Sequence, residues 1–316
     1  MKLITITGCL GFIGSYVTRA CLERGWLVYG IDKCTYAANI DLLEEFEKDP
    51  RFTFQKEDIA KLTSIPDCDY IINTAAETHV GNSIIESEDF IHTNVNGVKN
   101  LLDLIRHKPT NICSPPILFH FSTDEVYGDI SDGAHTETDA LHPSNPYSAS
   151  KASSDMLIKA WARTYGLEYL ILRPTNNYGI YQHCEKLVPL SVKLLQREKR
   201  IRLHDHGEPV RNWLHAADTA SAAMAIIDSN RVNEIFNVAG GFEQRNIDTV
   251  RKILTSYFDS EVDITKYTNL DHNRPGQDVR YSLNDDKLRS LGWKPQRVFD
   301  NEIDAIVTHY KNNFHW

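Results

Sequence analysis

Lys2-Leu3-Ile4-Thr5-Ile6-Thr7-Gly8-Cys9-Leu10-Gly11-Phe12-Ile13-Gly14 is the stretch whose reading decides the fold. An apolar run of strand length enters three glycines spaced three apart, and a helical pattern follows from Phe12 to Arg24, stopped by Gly25. Glycine lets backbone approach a ligand closely and lets the helix pack tightly on the strand. The helix N-terminus adds N–H donors and a positive dipole, so such a turn suits a pyrophosphate. Three glycines alone also describe an ordinary turn, and position must decide. Trp26 to Asp32 reads as a second strand, and Asp32 closes it 24 residues after Gly8. A carboxylate there accepts from the ribose hydroxyls of a dinucleotide and repels a 2′-phosphate, which favours NAD over NADP. Lys33, beside it, pulls the other way.

Outward from that turn, Phe52–Lys56, Asp69–Thr74, Ile117–Ser122 and Glu168–Arg173 read as further strands, with helical stretches near Asp89–Arg106 and Tyr147–Tyr165. The alternation predicts right-handed crossovers and an α/β fold built on a doubly wound parallel sheet. Pro189, Pro209, Pro275 and Pro295 punctuate a looser second half. A dinucleotide-binding domain is therefore expected over 1–174 and a smaller substrate-facing domain over 175–316, with Glu234–Val238 returning as a strand to the main sheet.

The 316 residues carry 34 basic and 43 acidic side chains, a formal net charge of −9, with no Lys/Arg block. This argues against nucleic acid or an anionic membrane as partner. No run of 18 apolar residues exists, and the N-terminus reads as a buried strand rather than a leader. Six scattered cysteines without a CxxC pair point away from a disulfide scaffold or zinc site and towards a reducing cytoplasm.

Tyr147 and Lys151 lie four apart at a helix start and so share a face. An ammonium near a phenol favours phenolate, which would make Tyr147 a usable base. On a solvated helix the same pair would mean nothing; its place after a dinucleotide turn and a fifth strand gives it weight. Ser122-Thr123-Asp124-Glu125 ends that strand at the carboxyl edge, where α/β sheets bind ligands. Thr123 can hydrogen-bond a substrate oxygen. Asp124 and Glu125 suit an acid and base pair with separated pKa values.

Several segments together resemble the nucleotide-sugar 4,6-dehydratases of the extended short-chain dehydrogenase/reductase superfamily. The glycine turn with its Gly-x-x-Gly-x-x-Gly spacing and Tyr-x-x-x-Lys belong to the whole superfamily. Ser122 to Gly128 and Pro146 to Asp155 are much narrower. Ala75 to Val80, Asn176 to Gly179, Glu185 to Pro189, Arg211 to Leu214, Arg274 to Gly276 and Leu291 to Pro295 extend the likeness nearly end to end. It implies a cycle on one bound NAD. Tyr147 takes the C4 hydroxyl proton while hydride leaves C4, and the ketone acidifies C5–H. Glu125 removes that proton, protonated Asp124 donates to the departing C6 hydroxyl, and hydride returns at C6. The resemblance further implies that Gly8, Gly11, Phe12, Ile13, Gly14, Asp32, Lys33, Asp58, Ile59, Ala75 and Asn94 serve the cofactor with Tyr147 and Lys151. His79, Thr123, Asn176, Asn177, Lys186, Arg211, Asn246 and Arg274 would serve the sugar nucleotide. It also implies a homodimer through the two long helical stretches.

Some positions depart from the family pattern. Gly81-Asn82 replaces an Asp-Arg pair, Asn273 an Asp, Arg173-Pro174-Thr175 the usual residues before Asn176, and His183-Cys184 a Phe-Pro that we do not read as metal ligands. His204 stands where the family has a tyrosine stacked on the nucleobase, which sets UDP-glucose beside dTDP-glucose as substrate. A UDP-sugar 4-epimerase or decarboxylase on the same fold needs no acid at C6, so the Asp124-Glu125 pair argues against both. A non-catalytic NAD-binding module would have no use for Thr123, Tyr147 and Lys151 together.

Overall fold

In a computed structural model of the chain, residues 1–108, 114–272 and 278–313 are described. The first half winds β1 (Leu3–Thr7), α1 (Phe12–Glu23), β2 (Leu27–Asp32), α2 (Asp41–Phe46), β3 (Phe52–Lys56) and β4 (Tyr70–Asn73). After β4 come α3 (Val80–Ile85), α4 (Glu88–Phe90), a π-helical stretch over Ile91–Gly97 and α5 (Val98–Arg106). Sequence periodicity reads this last region as one helix near Asp89–Arg106. The structure keeps it helical but widens its middle, where the buried Asn94 turns inward. β5 (Ile117–Phe121), α6 (Pro146–Tyr165), β6 (Tyr169–Pro174) and the short β7 (Asn176–Tyr178) follow.

Seven parallel strands pair in the order β10-β6-β5-β4-β1-β2-β3, β10 being Glu234–Val238, set in register on β6. Strands buried on both faces read as apolar runs because alternate side chains enter different cores. On β4, Ile72 packs with Val17 and Cys21 of α1 and Ala223 and Ile227 of α8 (Ala216–Asp228); Ile71 packs with Leu101 and Ile105 of α5 and Ile158 of α6. The many alanines of α8 let it lie close on α1.

The second half adds α7 (Leu187–Gln196), β8 (Ile201–His204), β9 (Val210–His215), β11 (Glu243–Arg245), α9 (Asn246–Phe258), β12 (Thr268–His272), α10 (Asp286–Arg289) and α11 (Phe299–Asn312). β11, β9 and β7 form a small mixed sheet, and β12 pairs with β8. Tyr178, Val192, Trp213, Ile253, Phe299 and Ile306 make a separate core beneath it. Among the described residues no helix is long and apolar enough to cross a membrane.

Candidate active site

The sheet's carboxyl ends open on three connecting cavities of about 570, 1000 and 1040 Å³. The first is lined by Gly8, Gly11, Asp32, Lys33, Asp58, Ile59 and Ala75. Gly8 has φ +74°, and a Cβ there would stand 2.6 Å from the Ala75 nitrogen; at Gly14 it would stand 2.0 Å from the Gly8 oxygen. No side chain fits either place, so the turn packs directly on the end of β4 and α1 starts hard against it, while Gly8 and Gly11 also line the cavity. The Asp32 carboxylate is held by the N–H groups of Leu10 (3.0 Å) and Cys34 (2.8 Å). Burial pushes the Asp58 carboxyl up, but hydrogen bonds from His92, the Ala60 N–H and Lys33 bring it down to about 2. Lys33 thus faces Asp58 rather than Asp32. This lobe fits the adenosine and pyrophosphate of a dinucleotide, with carboxylates for the ribose and an open glycine backbone for the phosphates.

The middle cavity brings Phe12, Ile13 and Gly14 of the turn against Thr123, Asp124, Glu125 and Tyr147. Asn145 caps α6: its side chain accepts the Ser148 N–H while the Ser148 hydroxyl accepts the Asn145 N–H, and Pro146 holds the first helical position. That box presents Tyr147 to the cleft. Thr123 is extended at the end of β5, and its hydroxyl caps a 3₁₀ turn by accepting the Glu125 N–H at 3.3 Å. It also donates to Asp124 Oδ1 (3.1 Å) and hydrogen-bonds Tyr147.

The two carboxylates are unequal. Asp124 is 2% exposed, and its Oδ2 finds no hydrogen-bond partner among the described residues. Burial, and then the Glu125 charge, push it up to about 8. Burial raises Glu125 as well, but Lys186 and Arg211 oppose the rise. Burial beside a second carboxyl thus favours a proton on Asp124, while the Lys186 and Arg211 charges favour the ionised form of Glu125.

Lys151 is anchored in a way that its spacing from Tyr147 does not announce. Spacing puts Lys151 on the face of Tyr147, yet its Nζ donates to the Phe121 carbonyl at 2.6 Å and lies 3.2 Å from His120 Nε2. Burial, then the charges of Glu125 and Asp124, hold the Tyr147 phenol above its usual range, and only the Thr123 hydrogen bond lowers it. Two contacts of the ammonium are thus anchored on β5. Asn94 is likewise fully buried, its amide bonded to both backbone groups of Glu77 and to the Ser150 hydroxyl. In this arrangement it braces the cavity wall.

His79, Asn176, Asn177, Lys186, Arg211 and Asn246 line the third cavity with His204. Lys186 donates to the Thr78 carbonyl at 2.8 Å and Arg211 to backbone carbonyls at Val210 and Asp278, which aims both cations at the lobe. Asn177 is tied inward to the Thr175 carbonyl and the Thr219 hydroxyl. Arg274 lies outside the described residues. Sequence reasoning gave no role to Glu185. Burial raises its carboxyl, but His183, Lys186 and His79 hold it down to about 2. His183 and Lys186 flank it in sequence, and His79 joins them from the start of α3.

The family model described as GDP-mannose 4,6 dehydratase matches residues 5–306, and the chain belongs to that family. Its relatives narrow the kinship. The dTDP-glucose 4,6-dehydratase of Haemophilus influenzae is 39% identical, over 99% of each chain. Among solved structures, the dTDP-glucose 4,6-dehydratase DesIV of Streptomyces venezuelae, with NAD and TYD bound, superposes with a TM-score of 0.90 at 36% identity, covering 99% of this chain and 98% of that one. The dTDP-glucose 4,6-dehydratase of Bacillus anthracis, in complex with NAD, gives 0.87 at 32%, covering 100% and 98%.

Proposed function

We propose that this chain is an NAD-dependent hydro-lyase that converts dTDP-glucose to its 4-keto-6-deoxy sugar nucleotide. The observation that carries the reading is the Thr123-Asp124-Glu125-Tyr147 cluster at the cleft, in which a buried carboxyl that burial and its neighbour push towards the protonated form adjoins a second one opposed by two cations. The sugar lies in the middle cavity, with the NAD adenosine in the first lobe and its own nucleotide in the third. NAD, which Gly8, Gly11, Asp32 and Asp58 would hold, would supply a cationic ring able to accept hydride from the sugar and to give it back.

Thr123 holds the C4 oxygen and Tyr147 takes its proton. Glu125 then removes the acidified C5 proton, and Asp124 protonates the departing C6 hydroxyl. Lys186 and Arg211 meet the substrate diphosphate, which answers its charge within an acidic protein. A 4-epimerase needs no proton donor at C6, so a buried neutral Asp124 would serve nothing there. We also infer that two copies pair through α5 and α6 and the stretch between α4 and α5, where Ile91, Met156 and Tyr165 stand exposed.

The test is incubation with dTDP-glucose and, separately, UDP-glucose, followed by base-induced absorbance of a 4-keto sugar. The proposal expects signal with dTDP-glucose and a lower rate with UDP-glucose. No keto sugar from either removes the reading, and faster turnover of UDP-glucose reassigns the nucleotide.

A further inference from the structure

Behind Tyr147 lies a buried polar chain that the steps above do not use. His120 points from β5 into the space between sheet and α6, with no exposed surface. Its Nε2 is 3.2 Å from Lys151 Nζ, and its Nδ1 is 2.9 Å from the amide nitrogen of Asn73 at the end of β4. The Asn73 amide oxygen in turn accepts from the Thr7 hydroxyl at 2.6 Å, at the mouth of the glycine turn. The other charged groups facing the ring are Asp155 of α6, whose Oδ1 is 4.0 Å from Nε2, and Arg173 of β6.

We infer that His120 is the positioning residue for Lys151: its Nε2 accepts a proton of the ammonium, fixing the lysine head against β5 with one N–H left for the cleft. The inference rests on the reading of the site as a dehydratase centre only in that Lys151 matters to turnover. An ammonium has three donors and no acceptor. One goes to the Phe121 carbonyl and the second goes to His120. For that, Nε2 must be bare and the ring proton must sit on Nδ1. The inference therefore turns the Asn73 amide over from the placement above, so that its oxygen accepts from Nδ1–H and its nitrogen donates to the Thr7 hydroxyl; the two orientations are alike in shape. Burial and the Lys151 and Arg173 charges hold the imidazole well below its usual pKa, so it stays neutral and able to accept. Burial lowers Lys151 to about 8, which places loss of its charge within the working range. Once the lysine is neutral the roles reverse: Nε2–H donates to the amine and Nδ1 accepts from Asn73. The histidine tautomer and the lysine charge are thereby one switch.

Two readouts test this. In ¹⁵N-histidine NMR the His120 ring is expected as the Nδ1–H tautomer at pH 6.5, passing to Nε2–H as pH rises through about 8. A ring that keeps Nε2–H at pH 6.5 overturns the inference, and this holds whatever the substrate. The second readout is the alkaline limb of kcat against pH. A hydrogen bond to a charged group is strong enough to move its partner's pKa by about one unit. His120→Asn keeps the Asn73 side but cannot reach Lys151, so its limb should fall by about one pH unit with KM for the sugar nucleotide little changed. His120→Gln places an amide oxygen near the Nε2 position and should restore the parent's limb. Equal limbs in the two variants would show a merely structural histidine. Turnover of dTDP-glucose by the parent protein, measured first, keeps failure of the functional reading apart from failure of this one.

Discussion

Replacing Asp124 with Asn should cost the protein its dehydration while making it more stable. A carboxyl whose pKa rises from 3.8 in the unfolded chain to about 8 when folded binds a proton on folding. The stability tied to that group is fully present below pH 3.8 and is lost as pH climbs towards 8. At pH 7 the penalty is about 1.4 kcal/mol for each of about three pH units, so about 4 kcal/mol, and at pH 5 it is about 2 kcal/mol. Asn has the same shape, keeps a group for Thr123 to bond and carries no such penalty. With unfolding entropy of about 2 cal/mol/K per residue, a gain of about 4 kcal/mol in a chain of this length raises Tm by about 6 °C. Calorimetry of parent and variant at pH 5, 6, 7 and 8, with cofactor content matched, should show the difference widening with pH. Meanwhile the overall reaction should fall by about 10² to 10⁴. A Tm difference that does not depend on pH, or that narrows as pH rises, would mean that Asp124 is ionised in the folded protein, and its role as acid would go with it.

The other residues of the cluster should separate by step. Glu125→Gln should remove exchange of the C5 hydrogen with deuterated water and slow product formation by about 10² to 10⁴, whereas Asp124→Asn should retain that exchange; equal exchange in both variants would dissolve the division of labour. Tyr147→Phe should abolish exchange and product together, because oxidation at C4 precedes both, and exchange that survived would show a different base. His204→Tyr should shift the dTDP/UDP ratio of kcat/KM towards dTDP by about ten-fold or less, since aromatic pairs contribute about 0.5–1.5 kcal/mol. An unchanged ratio would place His204 away from the base.

Central strand positions were legible because burial on both faces writes itself as apolar runs: Tyr70–Asn73 and Ile117–Phe121 fall inside the runs that predict them, and α6 begins one residue before Tyr147. Glycine positions were legible because only a missing Cβ fits beside Ala75 and the Gly8 oxygen. Direction of side chains was not. Tyr147 and Lys151 share a face by spacing, yet the Phe121 carbonyl and His120, about thirty residues upstream, draw the ammonium away. The widened turn at Ile91–Gly97 leaves the apolar period almost unchanged while redirecting Asn94 into the wall. Lys33 is taken by Asp58, a partner on another strand's end, and the fold brings His79 up to Glu185 beside its neighbours His183 and Lys186. Local periodicity carries the elements; pairings between distant segments set the charges.

In the proposed cycle one bound cofactor carries hydride out of C4 and back into C6 of the same sugar. Turnover of dTDP-glucose deuterated at C4, with the label located in the product by NMR, tests this directly. Deuterium is expected at C6, undiluted by solvent hydrogen. Deuterium remaining at C4, or lost to water, would contradict it.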